Sequence, residues 1–277
     1  MSAAASDEWE DEWEASAGLG GARDDNPFTG LSLGFLAMTP LFLAYEWGLA
    51  ASPGAAENTG RVVLGMFLRP LGSAAPWARW ILLAVLFVAA LARVRALGLR
   101  VRPGVARTIV EGAGFALLLG PALVFLQSLT LPWLPPLPPA GDPTGGGGPA
   151  LAGVATVFGG AAWEELLFRV GVYSFLYWLT LRFVQALGGG PRLGRPAAEV
   201  IGLLGSALAF AMAHMAPFLV LLGGGGHEFD ASLFTWLTLA GILLGLLFRL
   251  RGPGVGAWTH GLFNAALWIG IDPDVLL

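Results

Sequence analysis

Apolar and polar residues alternate along this chain on the scale of whole segments rather than of single helical turns. Seven long apolar stretches, separated by runs of Pro, Gly and charged residues, cover 31–51, 77–97, 108–130, 151–181, 199–222, 231–250 and 253–271. A helix needs roughly 20 apolar residues to cross the hydrocarbon layer of a membrane. The pattern therefore predicts an all-α fold, a bundle of about seven transmembrane helices with a polar cavity inside the membrane.

Three stretches depart from this simple pattern. Residues 61–71 are too short and too charged to span a bilayer, and we expect them to lie at the membrane interface. The stretch 151–181 exceeds one crossing, so it is tilted or continues beyond the membrane as an amphipathic helix. Residues 131–150 are rich in Pro and then in Gly, which predicts an extended connector.

The composition supports an integral membrane protein. Hydrophobic residues make up 56% of the 277 residues, and only 12% are charged, about half the share in a soluble domain. The mean hydropathy is +0.70. The absence of cysteine excludes disulfides, thiolate metal sites and a cysteine nucleophile.

The charges divide the chain into three parts. Carboxylates crowd the first fourteen residues, so residues 1–30 are predicted to be an acidic, disordered tail. Residues 31–150 would form the N-terminal helices and the connector, and 151–277 a C-terminal core of transmembrane helices. Residues 1–30 lack the basic start and apolar core of a signal peptide, so we expect the first helix to insert uncleaved.

Arginine placement predicts the orientation. The loops after the second, fourth and sixth stretches hold most arginines, whereas the loops at 131–150 and 223–230 hold no basic residue. The positive-inside rule then places the N-terminus in the cytoplasm and the C-terminus outside, with Arg61 and Arg69 as exceptions. Every basic residue is arginine, which is typical of a GC-rich genome, and we expect a bacterial inner membrane.

The first candidate site is the run Glu164-Glu165-Leu-Leu-Phe-Arg169 in the fourth stretch. Each charge near the bilayer centre costs on the order of 2.5–3.5 kcal/mol, so such groups usually mark function. On a helix, Glu165 and Arg169 lie one turn apart on one face, while Glu164 points roughly 100° away. This predicts Glu164 as a general base and Glu165–Arg169 as a structural pair. The alternative is an ion pair that only fixes helix packing.

Two further clusters carry histidine. His214 follows Phe210 by four residues, and Pro217 is expected to bend the helix just beyond it. His260 and Asn264 are four residues apart and face the same way. Together they could donate two hydrogen bonds to a developing oxyanion. The alternative for His260 and Asn264 is a polar clamp between helices.

Zinc is an open alternative for these side chains. Glu164, His214 and His260 could hold zinc with a fourth position open. The helical His-Glu-x-x-His signature of soluble zinc proteases is absent, so the sequence favours no cofactor. The third histidine, His227, lies in a Gly-rich loop and is predicted to be solvated.

The three clusters, in this order and on separate helices, resemble the CPBP family, also called the type II CAAX prenyl endopeptidase or abortive-infection family. Its pattern is Glu-Glu-x-x-x-Arg, then Phe-x-x-x-His, then His-x-x-x-Asn, and the similarity covers about residues 150–270. The resemblance implies an α-helical intramembrane endopeptidase. Glu164 and His214 match the water-activating pair, and His260 with Asn264 the oxyanion-stabilising pair.

The resemblance also bears on cofactor and substrate. Family members are commonly labelled metalloproteases, although a metal-free glutamate mechanism fits these residues better. Eukaryotic relatives cleave after a prenylated cysteine, and bacterial ones act on diverse substrates, including C-terminal sorting tails. The expected partners are therefore a membrane-associated or C-terminally tagged peptide or protein and the lipid bilayer, with no nucleic acid.

Two other function classes could use the same residues. A transporter could employ the glutamates and histidines as a proton relay, but no two matching halves with broken helices are evident. A membrane scaffold or sensor could retain the motifs without turnover. The intact motif positions favour the enzyme.

Overall fold

The computed structural model describes residues 27–51, 57–130, 150–215 and 229–268. These residues are almost entirely helical, and no β-strand occurs among them. A helix satisfies its own backbone hydrogen bonds, which lipid cannot do. The predicted all-α fold is confirmed.

The α-helices of the described residues are α1 Pro27–Ala51, α2 Thr59–Leu68, α3 Ala75–Ala96, α4 Val101–Thr130, α5 Ala150–Glu164, α6 Ser174–Ala186, α7 Pro191–Ala213, α8 Ala231–Arg251 and α9 Pro253–Trp268. A 3-10 segment, Arg69–Ala74, connects α2 to α3. A π-helix, Glu165–Tyr173, joins α5 to α6 without a break and is called π1 below.

Six helical segments among the described residues are long and apolar enough to cross a bilayer. They are Gly30–Ala51, Thr59–Ala96, Val101–Leu126, Leu151–Ala186, Pro191–Ala213 and Ala231–Arg251. Helix α9, described over 16 residues, corresponds to the seventh predicted stretch. The chain is therefore an integral membrane protein built as a helix bundle.

The segment predicted at the interface is helix α2 together with the 3-10 segment after it. Gly72 interrupts the helical path there with φ 54° and ψ −127°, a conformation that costs glycine little because it has no Cβ. The first two residues of α2, Thr59 and Gly60, are buried. The interfacial position of this segment stays a prediction. Of the predicted tail at 1–30, residues 1–26 lie outside the described residues, and 27–30 are the start of α1 rather than disordered. Of the predicted connector at 131–150, only Ala150 is described, as the first residue of α5.

Helix α7 ends earlier than predicted, which changes the setting of His214. The helix stops at Ala213, and the N–H of His214 donates to the Ala211 carbonyl at 3.1 Å. The predicted helix over 199–222 is therefore interrupted at His214, whereas the sequence predicted a bend just beyond it; residues 216–222 lie outside the described residues. A proline offers no N–H and disfavours helical geometry in the residue before it, so Pro217, itself outside the described residues, is a sufficient local reason.

Helix α5 lies so close to α1 that only glycine fits at two positions of their contact, Gly48 and Gly159. A Cβ on Gly159 would overlap the Leu41 carbonyl oxygen, and one on Gly48 would lie 2.5 Å from the Thr156 hydroxyl. Small residues at such contacts let membrane helices approach closely. This contact fixes α5, and with it the Glu164 end of the helix, inside the bundle.

Candidate active site

The two adjacent glutamates lie where α5 changes into π1. Glu164 is the last residue of the α-helix and Glu165 the first of the π-helix. The sequence predicted an ordinary α-helix here. In a π-helix each N–H binds the carbonyl five residues earlier instead of four, and such turns occur frequently at functional sites.

The Glu164 carboxylate lies between two imidazole rings. Its Oε1 is 3.7 Å from His214 Nε2 and its Oε2 is 3.6 Å from His260 Nε2. Both separations are somewhat longer than a direct hydrogen bond. Glu164 is 6% exposed and His260 5% exposed. The structure thus brings together three predicted site residues from α5, the end of α7 and α9.

Both imidazoles are oriented through Nδ1. His214 Nδ1 lies 2.8 Å from the Phe210 carbonyl oxygen, and His260 Nδ1 lies 3.0 Å from Glu165 Oε1. A carbonyl or an ionised carboxylate only accepts hydrogen bonds, so these partners assign a proton to Nδ1 of each ring. Each Nε2 is then the atom that faces Glu164 and can exchange a proton there.

Glu165 and Arg169 form the predicted pair. Glu165 Oε2 lies 3.4 Å from Arg169 Nε, and both side chains are fully buried. The Arg169 guanidinium also sits 5.1 Å from the centre of the Phe210 ring, a cation–π contact. The sequence did not predict the second contact of Glu165, to His260 Nδ1. Glu165 therefore also orients a histidine of the site.

Several polar atoms of the Glu165–Arg169 pair lack a hydrogen-bond partner among the described residues. Arg169 Nε, Nη1 and Nη2 and Glu165 Oε2 make no hydrogen bond within the described part of the chain. Most buried polar groups in proteins do have such a partner. The pair is therefore held by charge and by the aromatic face rather than by tight hydrogen bonds.

Phe210 contacts both histidine rings of the site. Its ring centre lies 4.7 Å from that of His214 and 5.7 Å from that of His260. It also packs edge-to-face on Phe168 at 5.4 Å. Phe210 thus holds the ring planes in place while its own carbonyl binds His214.

Asn264 lies one turn after His260 on α9 and is half-buried. Its side chain forms no hydrogen bond to any residue that the structure describes, so the structure does not pair it with Glu164. The amide remains available to a bound molecule. His227, predicted to be solvated, lies outside the described residues.

Sequence reasoning missed Asn58. This residue precedes α2, in the N-terminal half of the chain, and its Nδ2 lies 3.2 Å from Glu164 Oε1. The available signal was an asparagine directly before a helix, which is typical of an N-cap. That signal predicts the cap but not the contact with a residue more than a hundred positions away.

The site residues suit zinc in type but do not form a ligand cluster. In the described ranges, no group of three or more His, Cys, Asp and Glu side chains is arranged to hold a metal ion. The nearest set is Glu164, His214 and His260. Metal-bound imidazoles usually donate their other N–H to an oxygen, as both rings do here.

Comparison with known proteins agrees with the motifs. Residues 146–266 match the family model described as type II CAAX prenyl endopeptidase Rce1-like. The match spans the motifs from Glu164 to Asn264 and does not reach Asn58. No curated protein and no solved structure matches. The predicted family resemblance is confirmed over this part of the chain.

Proposed function

We propose, from the match of residues 146–266 to the type II CAAX prenyl endopeptidase family, that this protein is an intramembrane endopeptidase. It would hydrolyse a peptide bond in a membrane-associated or C-terminally tagged peptide or protein. The single observation that carries the residue assignment is the buried Glu164 carboxylate with one histidine Nε2 facing each of its oxygens. A base between two proton-exchanging rings suits water activation.

The first step is attack by water. Glu164, assisted by His214, accepts a proton from a water molecule, and the resulting hydroxide attacks the carbonyl carbon of the scissile bond. The carbonyl π electrons move onto oxygen and create a tetrahedral oxyanion. Hydrogen-bond donors already in place for that charge lower the barrier without reorganisation. We assign His260 and Asn264 to this role.

The second step is collapse of the tetrahedral intermediate. The electron pair returns to form the new carboxyl group, the C–N bond breaks, and the departing nitrogen takes the proton held by Glu164 or His214. His260 Nδ1 already donates to Glu165. A donor at Nε2 for the oxyanion therefore requires protons on both nitrogens of this ring, with Glu165 as the facing anion.

A metal is the alternative form of the same site. Glu164, His214 and His260 would be its ligands. Bound zinc would supply Lewis-acid polarisation of a water or of the carbonyl. Glu165 would keep its role, because its contact with His260 Nδ1 orients the ring in either case.

The orientation and the compartment belong to this proposal. The arginine-bearing loops would face the cytoplasm, with the N-terminus inside and the C-terminus outside. A bacterial inner membrane is the proposed location. The family name suggests that a prenylated Cys-aliphatic-aliphatic-X tail is the first substrate to test.

The test uses purified full-length protein in liposomes and an internally quenched peptide that ends in such a prenylated tail. Wild type should release the terminal tripeptide, and Glu164→Ala should not. Glu111→Ala is the matched control, since this carboxylate pairs with Arg107 on α4, and it should behave as wild type.

Two outcomes would overturn the proposal. Equal release by wild type and Glu164→Ala would remove Glu164 from the chemistry. Proton flux that depends on Glu164, without hydrolysis of the prenylated or the unprenylated peptide, would favour a transporter.

A further inference from the structure

Asn58 uses every hydrogen-bonding group that it has next to the candidate site. Its Nδ2 donates to Glu164 Oε1 at 3.2 Å and to the Gly160 carbonyl at 2.5 Å. Its Oδ1 accepts the Arg61 N–H at 3.0 Å, and its own N–H donates to the Tyr45 hydroxyl oxygen at 2.9 Å. An asparagine amide has two N–H donors and one acceptor oxygen, and these partners include two acceptors for Nδ2 and one donor for Oδ1.

These partners fix the orientation of the amide. Two of them are oxygens that only accept, and the third is a backbone N–H that only donates. Turning the Asn58 amide by 180° would place its oxygen against both acceptors and its NH₂ against a donor. The Nδ2 group is therefore the one that faces Glu164.

The start of α2 is built to approach α5 at Glu164. A Cβ on Gly60 would lie 2.7 Å from the Trp163 carbonyl carbon and 2.8 Å from the Glu164 nitrogen. A Cβ on Gly160 would lie 2.9 Å from Asn58 Nδ2. Glycine at both positions allows the close approach, and Tyr45 is fully buried. Asn58 is thus held on both sides.

Asn58 and His214 contact the same oxygen of Glu164. Oε1 takes the hydrogen bond from Asn58 and faces His214 Nε2, while Oε2 faces His260 Nε2. A carboxylate end group rotates over a broad range when no partner holds it. The Asn58 donor therefore selects the rotation in which each carboxylate oxygen faces one imidazole.

We propose that Asn58 is a positioning residue that orients the Glu164 carboxylate for water activation. This inference rests on the proposed function and extends it to residue 58, outside the range matched by the family model. The N-terminal half of the chain then contributes to the chemistry through α2 as well as supporting the core.

The test separates two roles of Asn58, the donation of a hydrogen bond to Glu164 and the capping of α2. Asn58 also caps α2, because its side chain accepts from Arg61 N. Serine and aspartate are good N-cap residues, so Asn58→Ser and Asn58→Asp keep the cap, and both lose the amide N–H that reaches Glu164 Oε1. With the prenylated peptide, we expect kcat to fall about 10- to 100-fold in both variants with little change in KM, as for other residues that orient a catalytic group.

The matched control is another N-cap. The Asp230 side chain accepts from Ser232 N and Leu233 N at the start of α8. Asp230→Ala loses this cap without changing a contact of Glu164, and its kcat should equal that of wild type. A kcat within twofold of wild type in both Asn58 variants would overturn the inference. A loss of kcat in Asp230→Ala equal to that in the Asn58 variants would also overturn the inference.

A stability cycle tests the contact without any turnover. Asn58→Ser and Glu164→Ala, alone and together, are compared by thermal unfolding in detergent. Residues in contact give non-additive changes, so we expect the double variant to lose less in Tm than the sum of the single losses. Additive losses would overturn the Asn58–Glu164 interaction. A folded wild type that hydrolyses nothing would overturn the proposed function instead, and this cycle would still decide the interaction.

Discussion

Two charged networks in this bundle are built in different ways. At one end of π1, the Tyr173 hydroxyl donates to Glu199, and Arg249 Nε lies 2.7 Å from Glu199 Oε1. At the other end, Glu164 stands 3.6–3.7 Å from its histidines, and Glu165 stands 3.4 Å from Arg169. The first network joins π1, α7 and α8 by direct hydrogen bonds to one carboxylate. In the second, these ion pairs are longer, and the direct hydrogen bonds are those of Asn58 with Glu164 and of His260 with Glu165.

The two arginine–glutamate pairs also differ in exposure. The side chains of Arg249 and Glu199 are 34% and 30% exposed, whereas those of Glu165 and Arg169 are fully buried. Burial makes an unsatisfied charge expensive. Among the described residues, the Arg169 guanidinium and Glu165 Oε2 of the buried network lack a hydrogen bond, whereas the Glu199 network joins helices by direct hydrogen bonds.

The largest difference between the networks should appear in turnover. Glu164→Gln keeps the size of the side chain but removes the base, so kcat for the prenylated peptide should fall about 10²- to 10⁴-fold. Glu199→Gln should leave kcat within about twofold. A partly exposed ion pair contributes only about 0–1 kcal/mol to the stability of the fold, so its loss should leave the site in place. Equal losses of kcat in the two variants would mean that the two networks do not differ in role.

The effects at the two proposed oxyanion donors should come next in size. His260→Ala and Asn264→Ala should each lower kcat about 10²- to 10³-fold, the usual loss for one such donor. Asn264→Asp keeps the shape but removes the amide donor and should be as poor as the alanine variant. Full activity in Asn264→Asp would remove this residue from the oxyanion site.

Loss of the buried Glu165–Arg169 pair should lower the free energy of unfolding more than loss of the Glu164 charge. Glu165→Gln leaves the Arg169 charge without its partner, which costs about 3–5 kcal/mol of unfolding free energy. Glu164→Gln should cost less, since Glu164 lies beside histidines rather than a fixed charge. Thermal unfolding in detergent checks this order. The control is Glu165→Gln with Arg169→Met, which removes both charges and should regain part of the loss. Equal stability of the two single glutamine variants would contradict the division of roles.

Metal removal should have the smallest effect. In the proposed mechanism Glu164 and His214 activate water directly, so kcat should be unchanged after prolonged incubation with a strong chelator. Elemental analysis of the active protein accompanies the assay. One zinc per chain, with kcat lost on chelation and restored by zinc, would make Glu164, His214 and His260 ligands.

The sequence predicted the features that depend on neighbours along one helix. The apolar lengths predicted the bundle, and the spacing of four residues predicted the pairing of Glu165 with Arg169. A large energetic cost of buried charge also justified placing Glu164, His214 and His260 together. The catalytic roles of these residues stay predictions.

The features that the sequence could not predict depend on contacts between distant segments. The bond from Glu165 to His260 spans 95 positions and that from Asn58 to Glu164 spans 106. The periodicity of the sequence predicts neither contact, because both form only when α2 and α9 pack on α5. The end of α7 at Ala213 was missed for a related reason, since an apolar run does not show where its backbone stops being helical.

The π-helix has a consequence for how this chain can change in length. A π turn accommodates one residue more than an α turn, so π1 separates the helical register of α5 from that of α6. Glu164 keeps its place through α5, while Tyr177 and Leu181 on α6 pack in a different core cluster. A one-residue deletion within 166–172 could be absorbed by tightening π1 into an α-helix. Helices α5 and α6 would then keep their rotation relative to each other, and only the residues between them would turn. The junction thus allows the chain between the site and α6 to change by one residue without moving either helix.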